Sequence, residues 1–436
     1  MTEPTPAPAL PARTSRATAI ESGIVPVPDL PPLISRDLSG STGLADLDGS
    51  AWLVRVAGLL PAGIERPRVW VAPDADDAPC ILGWGAAARF TGSSAGGVLT
   101  SWEAFRQWAR HTDADPVALG SFPFAREQTG DLVVPAVTLI RRAKGRPTEV
   151  LSSPDAPMPH PAAGREALPA VLTEIPQPGA EDAWRTAVES AVAALDADPR
   201  MQKVVLARAL ELSASHPMDQ MAVATALASR FTGCWTYAHD GLVGATPELL
   251  VDLRAGRLRS RVLAGTRKPA WSEELLSDPK EQREHELAVA SVTQVLESDG
   301  VLPRVDGPFL LRLPNVTHLA TDITAQAGGT GAAHFSAARI VDALHPTAAV
   351  CGTPREEAYR VIDRVEELDR GRFSGPVGWM TADGSGQWGI ALRCGQFAPG
   401  SRNVKVFAGA GIMPSSDPAK EWLETGAKME AFLHSL

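Results

Sequence analysis

Cysteine is scarce and scattered in this chain. The four cysteines, Cys80, Cys234, Cys351 and Cys394, show no C-x-x-C spacing, which argues against a zinc site and a disulfide framework and makes a reduced cytoplasm the expected compartment. No apolar run is long enough to span a bilayer. Residues 1–24 carry Pro4, Pro6, Pro8 and Pro11 and lack the continuous apolar stretch of a secretory leader, so disorder is expected there, with an extended lead-in from Pro26 to Pro32. Long runs of Lys and Arg are absent too. With a formal net charge of -10, a general nucleic-acid binder is disfavoured, and any anionic ligand must be held by local groups. Neither G-x-G-x-x-G after a strand nor G-x-x-x-x-G-K-[ST] occurs, and Gly409-Ala410-Gly411 lacks the third glycine and the downstream acid of a dinucleotide site. Ser-His-Asp catalysis has no G-x-S-x-G to stand on.

What is there is a globular composition, 44% hydrophobic and 21% charged, which is ample for a buried core. Proline divides the chain. Residues 1–45 read as a disordered or extended Pro-rich start, 46–145 as the N-terminal part of the body, 146–180 as a Pro-rich linker or surface excursion, and 181–436 as the catalytic region. In the N-terminal part, AWLVRVAG and RVWVAP are β-rich, the stretch from Ser101 to His111 is helical with a serine N-cap, and Leu132 to Gly145 forms one strand.

After the linker, helices are expected over 181–198, 219–231, 273–297, 333–344 and 355–364, the third restarting at Asp278-Pro279 with Asp278 as N-cap. Strands fall between them. CWTYAHDGLVGATPELLVDL reads as a hairpin turning at Asp240-Gly241, GRLRSRVLAGTRK as a strand ending in a glycine turn, and two more hairpins turn at Asp383-Gly384 and Pro399-Gly400. Antiparallel hairpins interleaved with helices imply α+β layering.

Three places carry groups suited to chemistry. The β-branched run Val404 to Phe407 enters a glycine step, then a helix opens at Asp417-Pro418 with Glu421, Glu424 and Lys428. Glutamates three apart leave the same helix face, and DPKEQREHEL repeats the spacing with Glu281 and Glu284. Two such helices could meet around one hard divalent cation, for which oxygen-only ligation suits magnesium. The same pattern also serves a solvated helix, and Glu281, at N3 after Asp278, could instead complete a capping box. Lys203 opens the strand QKVVLAR, where it either snorkels to solvent or, if buried, acts as a base. Glu248 in GATPELL is either an exposed turn residue or a general acid on a bent backbone.

Several blocks then identify a family: LAGTR at 263–267, EHEL at 284–287, HLAT at 318–321, LHPTAAVCGTP at 344–354, FSGPVGW at 373–379, QWGIALRC at 387–394 and FAGAGI at 407–412. Over residues 181–436 the chain resembles the chorismate-utilising enzymes, which include isochorismate synthases, salicylate synthases and the synthase subunits for anthranilate and aminodeoxychorismate. The resemblance implies a single large α+β domain of the anthranilate synthase component I type, with two layered, largely antiparallel sheets and helices outside. It implies magnesium as cofactor, with Glu284 and Glu421 as direct ligands and Glu281 and Glu424 beside them, acting partly through water. It places Arg393, Lys428 and the Gly409, Ala410 and Gly411 backbone against the pyruvyl carboxylate, and Thr347 and His318 along the ring. Ala264, Gly265, Thr266, Val350, Phe373 and Phe407 complete the implied substrate site.

The nucleophile separates the family members. Ammonia users carry Gln at the Lys203 position, and aminodeoxychorismate synthase has a nucleophilic Lys where this chain has Ala264; both differences point to water. The resemblance then makes Lys203 the base and Glu248 the acid of an isochorismate synthase, an isomerase feeding 2,3-dihydroxybenzoate siderophore formation or, second, menaquinone. The alternatives are a salicylate synthase and an ammonia-using subunit. Phe373 and Phe407 match the siderophore type, whereas Val350 stands where those enzymes usually have a bulkier Leu, which loosens the ring pocket and leaves room for some lyase activity. Chorismate and isochorismate are the expected small-molecule partners, with no nucleic acid, membrane or obligate protein partner, and the chain is expected to act as a monomer.

Overall fold

The structure is a computed structural model that describes residues 33–37, 44–61, 63–73, 79–93, 95–156, 159, 170–267, 269–326, 335–398, 400 and 402–436. The expected disorder of residues 1–24, the lead-in to Pro32 and Pro399 of the last expected hairpin turn lie outside these. The described residues form two sheets, of twelve and nine strands, and the strands pair antiparallel. At the centre of the first sheet, Trp235–His239, Leu242–Thr246, Cys394–Phe397, Asn403–Ile412 and Lys203–Ala214 lie side by side in that order. The second runs Arg304–Arg312, Thr317–Gln326, Arg257–Arg267, Leu249–Arg254, Gly386–Ile390 and Pro376–Thr381, and continues into N-terminal strands.

The two sheets face each other across a shared apolar layer in which Trp70, Tyr237 and Phe407 of the first meet Leu119, Leu249 and Trp379 of the second. The indole of Trp70 also donates to Gln387 Oε1 across the layer at 3.0 Å. Helices cover the outer faces. Those over Ala180–Ala197 and Arg355–Val365 bury Trp184, Val188, Ala358 and Val361 against Val204, Leu206, Ala410 and Ile412. The Pro279–Ser298 helix buries Ala288, Val292 and Leu296 against the second sheet. No helix of the described residues is long and apolar enough to cross a membrane. The chain is thus an α+β body of two layered antiparallel sheets with helices outside.

Local chemistry explains where the elements differ from expectation. AWLVRVAG is helical, Gly49–Ala57, because Asp48 caps the Ala51 N–H at 2.7 Å and Trp52, Leu53 and Val56 then share a buried face. Short apolar runs do not distinguish helix from strand by pattern alone. The next helix starts earlier, at Gly97 rather than with a cap at Ser101, which is buried inside it. Leu132 to Gly145 is two strands, Thr129–Val134 in the second sheet and Val137–Arg141 in the first, with Pro135 between them. Proline ends ladder pairing because it has no N–H to give. Gly265 is a bulge residue, φ +81°, within the Arg257–Arg267 strand rather than a terminal turn. Likewise, the glycines after Phe407 continue a strand through Ile412.

The hairpin at Asp240-Gly241 forms as expected, with both residues at positive φ. The expected second arm divides, however. Leu242–Thr246 stays in the first sheet, and after Pro247 the chain crosses to the second as Leu249–Arg254. A second crossover runs the other way, from Gly386–Ile390 through Arg393 to Cys394–Phe397. The two lie against each other, Ala245 N–H donating to Arg393 O and Ile390 N–H to Glu248 O. Glu248 and Arg393 are therefore delivered to the space between the sheets by two adjoining stretches of backbone that cross it.

Candidate active site

A cavity opens beside these crossovers, walled by Glu248 and Arg393, by Val205 and Gly409 of the first sheet and by Ala264 and His318 of the second. Gly265, Thr266, Glu284, Val350, Phe373, Gly411 and Lys428 also line it, so most of the expected substrate residues come together. Lys203 is fully buried and reaches the site through Glu284, its Nζ lying 2.9 Å from Glu284 Oε1. It shares the cavity face of its strand with Val205, two residues on. Phe407 stands behind the wall, stacked on Phe373 with ring centroids 5.2 Å apart.

Two further expected substrate positions are not cavity walls. Ala410 points to the opposite, helix-covered face of its strand, because alternate strand residues face opposite ways. Thr347 closes the turn before Cys351, its carbonyl accepting from Val350 and Cys351 N–H groups, and its buried hydroxyl has no hydrogen-bond partner among the described residues.

The electrostatics separate the groups. Burial pushes the Glu248 carboxyl up to about 8, against the pull of Lys203, Arg393 and Lys428, so at neutral pH it holds its proton. Arg393 has φ +51°, a conformation that costs a non-glycine residue roughly 1 kcal/mol or more. Its Nη2 donates to His318 Nε2 at 2.7 Å, while its buried Nε has no partner. A guanidinium only donates, so His318 Nε2 must accept, and Nδ1 carries the proton toward Gly265 O at 3.2 Å. His318 is accordingly neutral, kept well below the usual imidazole range by burial and by Arg393 and Lys428. A buried cation with an unpaired N–H is suited to a ligand carboxylate.

Four glutamates flank the cavity from two helices. Glu281 Oε2 accepts from Thr266 N–H at 3.0 Å, so its side chain turns away from the capping box it might have closed. Glu421 Oε1 accepts from Lys280 Nζ at 2.9 Å and from Ser416 Oγ at 2.8 Å, and Glu424 pairs with Lys428 at 2.6 Å. Burial, then repulsion from Glu284 and Glu424, pushes Glu281 up to about 7, and burial with Glu424 raises Glu421. Glu281 and Glu421 are raised although Lys203, Lys280 and Lys428 each pair with one glutamate of the four, so Glu281 is the carboxylate left without a paired cation, and the oxygen donors suit a divalent ion. Lys280 and Ser416 were not foreseen from sequence, although Lys280 adjoins Glu281 at the start of the same helix.

A tighter acidic group, Asp131, His239 and Asp240, places its ligand atoms within 4.8 Å of one another. Its charge is already met. Arg68 pairs with Asp240, Arg372 with Asp131, and Arg89 with both. Burial raises the Asp131 carboxyl, but His239, Arg372 and Arg89 outweigh it and hold it well below the carboxylate range. This group joins the two sheets electrostatically and leaves no deficit for a metal to fill.

Glycine is required at 411. A Cβ there would lie 2.2 Å from Glu284 Oε1 and 2.9 Å from Lys203 Cε. Gly411→Ala is therefore expected to displace both functional groups and to lower turnover about 100-fold, the scale of a 1 Å misplacement, with a cooperative thermal melt retained. Steady-state kinetics beside a melting curve checks this.

The model of the family described as chorismate binding enzyme matches residues 157–436. The chain belongs to the chorismate-binding enzymes. Isochorismate synthase DhbC of Bacillus subtilis is 30% identical over 355 residues, 77% of this chain and 84% of that one. The vibriobactin-specific isochorismate synthase of Vibrio cholerae is 36% identical over 249 residues, 53% of this chain, and the match spans 61% of its length. MenF, the menaquinone-specific isochorismate synthase of Escherichia coli, superimposes with a TM-score of 0.73 at 26% identity, covering 93% of this chain and 95% of that one. In this chorismate-binding enzyme the cavity between the crossovers is thus the candidate active site.

Proposed function

We propose that this chain is a magnesium-dependent isochorismate synthase that supplies 2,3-dihydroxybenzoate for siderophore formation. The observation that carries the proposal is the acid and base pair. Lys203 approaches from the first sheet, and a protonated Glu248 stands on the crossover to the second. The reaction needs that pair. Water adds at ring carbon 2, the double bonds shift, and the carbon 4 hydroxyl departs. Lys203, having first released its own proton to solvent, takes the proton of the incoming water, and Glu248 gives its proton to the leaving hydroxyl, which departs as water. Proton exchange with solvent resets the two groups.

Arg393 Nε, Lys428 and the Gly409 to Gly411 stretch suit the pyruvyl carboxylate, which explains how an acidic protein binds a dianion: local cations outweigh a distant net charge that salt screens. Glu284 and Glu421 would hold the magnesium, with Glu281 and Glu424 beside them, and the ion would supply positive charge against the substrate's carboxylate. His318, held neutral, would line the ring without adding charge.

Val350 favours a second outcome, onward loss of pyruvate to salicylate, because a smaller wall leaves the isochorismate side chain freer to move. The name of one relative points to vibriobactin and that of a solved neighbour to menaquinone, so the pathway belongs to the proposal. The test is chromatography of products from chorismate, run with and without magnesium and with ammonium added. Isochorismate that needs magnesium and ignores ammonium is the expected result. Anthranilate as the product would overturn the assignment of water as nucleophile.

A further inference from the structure

We propose that Arg370 is a positioning residue that sets the width of the ring pocket through the main chain, and with it the fraction of product that loses pyruvate. The proposal rests on the reading of chorismate as the substrate. It starts from an edge of the first sheet left short of a neighbour. The Lys203–Ala214 strand pairs on that side at Lys203 with Thr353 and Val204 with Gly352, Val205 N–H then donates to Cys351 O at 2.8 Å, and pairing resumes only at Leu212 to Ala214 with Leu172–Glu174. Between the two the backbone at buried Val205 and Ala207 would carry open groups.

A buried ion pair takes the place of the missing strand. Arg370 Nη2 donates to Val205 O at 2.7 Å, and Glu366 Oε2 accepts from Ala207 N–H at 2.8 Å. The same guanidinium donates through Nη1 to Val350 O at 2.9 Å. Glu366 holds it in place with two bonds, from Nε at 2.6 Å and from Nη2 at 2.8 Å, and both side chains are almost wholly buried. The main chain adds a third tie, Phe373 N–H donating to Arg370 O at 3.0 Å.

Val205, Val350 and Phe373 are all cavity walls. One residue therefore fixes three of them, from the sheet, from the 347–351 turn and from the loop before Ser374, without reaching the cavity itself. The planar fork matters here, since lysine offers one ammonium where Arg370 spans two carbonyls and a carboxylate. Val350 is the wall whose small size loosens the pocket, and its carbonyl hangs on this clamp.

The experiment compares Arg370→Lys, Val350→Leu and the double variant, each with a thermal melt, a KM and kcat for chorismate, and the ratio of pyruvate to isochorismate. Arg370→Lys is expected to raise KM about 10-fold and to raise the pyruvate ratio, with kcat changed less; Val350→Leu in the same chain refills the wall and brings both values back. Glu366→Gln, which keeps Arg370 and an acceptor for Ala207, is expected to move them in the same direction by a smaller factor, and serves if Arg370→Lys does not fold. A lowered melting temperature with native KM and native product ratio would show a merely structural role and overturn the proposal. So would a raised KM that Val350→Leu leaves unchanged. If the native enzyme made no isochorismate, the functional reading would fail by itself, and calorimetric chorismate affinities of the same variants would still decide the clamp.

Discussion

Lys203→Ala is expected to lower isochorismate formation by about 10²–10⁴-fold, the contribution of a positioned base, with chorismate still bound. The lysine is fully buried, meets Glu284 at 2.9 Å and shares the cavity face of its strand with Val205, which is the ground for proposing it as the group that takes the proton of an incoming water. Its removal also takes a cation from beside Glu284, whose carboxyl Lys203 holds below its usual range against the opposing effect of burial. Calorimetric titration with magnesium separates the two roles. A base-only loss leaves metal affinity intact, whereas a variant that turns over at the native rate would remove Lys203 from the mechanism.

Glu248→Gln should be as severe, and its signature is a pH profile. In the native enzyme the carboxyl is pushed up to about 8 by burial. It is protonated and competent as an acid below that value, and the proton is lost as pH rises through it, so turnover should fall on the alkaline side with a midpoint near there. The glutamine variant, about 10²–10⁴-fold slower, should lack that limb. Stability moves with the same group. Between the ordinary carboxylate pKa and about 8 the folded state binds more protons here than the unfolded one, so this contribution is complete below the unfolded pKa and lost as pH rises through the folded one. Denaturant midpoints of the native chain and of Glu248→Gln across that window should therefore diverge toward high pH. An alkaline limb that persists in the variant would assign it to some other group.

Much of the candidate site could be read from residue types in order, because a proposed acid, base or metal ligand tolerates few replacements: Glu248, Arg393 and Glu284 line one cavity, with Lys203, Glu281, Glu421 and Glu424 close by. What motifs do not carry is which way a side chain faces. Ala410 sits in the glycine-rich stretch yet points to the helices, which the alternation of a strand would have excluded had FAGAGI been read as continuous strand rather than as a step. Thr347 uses its carbonyl to close its turn, which the motif does not show. Val205 was missed although it shares a face with Lys203 at a spacing of two.

The fold was legible as a class and less so in its details. Hairpin turns and proline-started helices have local causes and appeared where expected, as at Asp240-Gly241, Asp278-Pro279 and Asp417-Pro418. The crossings between sheets do not. Nothing in LVVPAV or GATPEL says that the chain changes sheets at the proline, since a buried strand looks the same in either layer. Those crossings place Glu248 and Arg393 between the sheets, so the least local feature of the fold builds the centre of the candidate site.

The central claim is that a solvent water, activated by Lys203 on one side of the ring, replaces a hydroxyl that Glu248 protonates on the other. Mass spectrometry of isochorismate formed at low conversion in oxygen-18 water tests it most directly. The account predicts one solvent oxygen in each product molecule, located at ring carbon 2. Unlabelled isochorismate would mean that the hydroxyl migrates within the substrate, and would contradict the assignment of Lys203 and Glu248 as a base and acid acting on water.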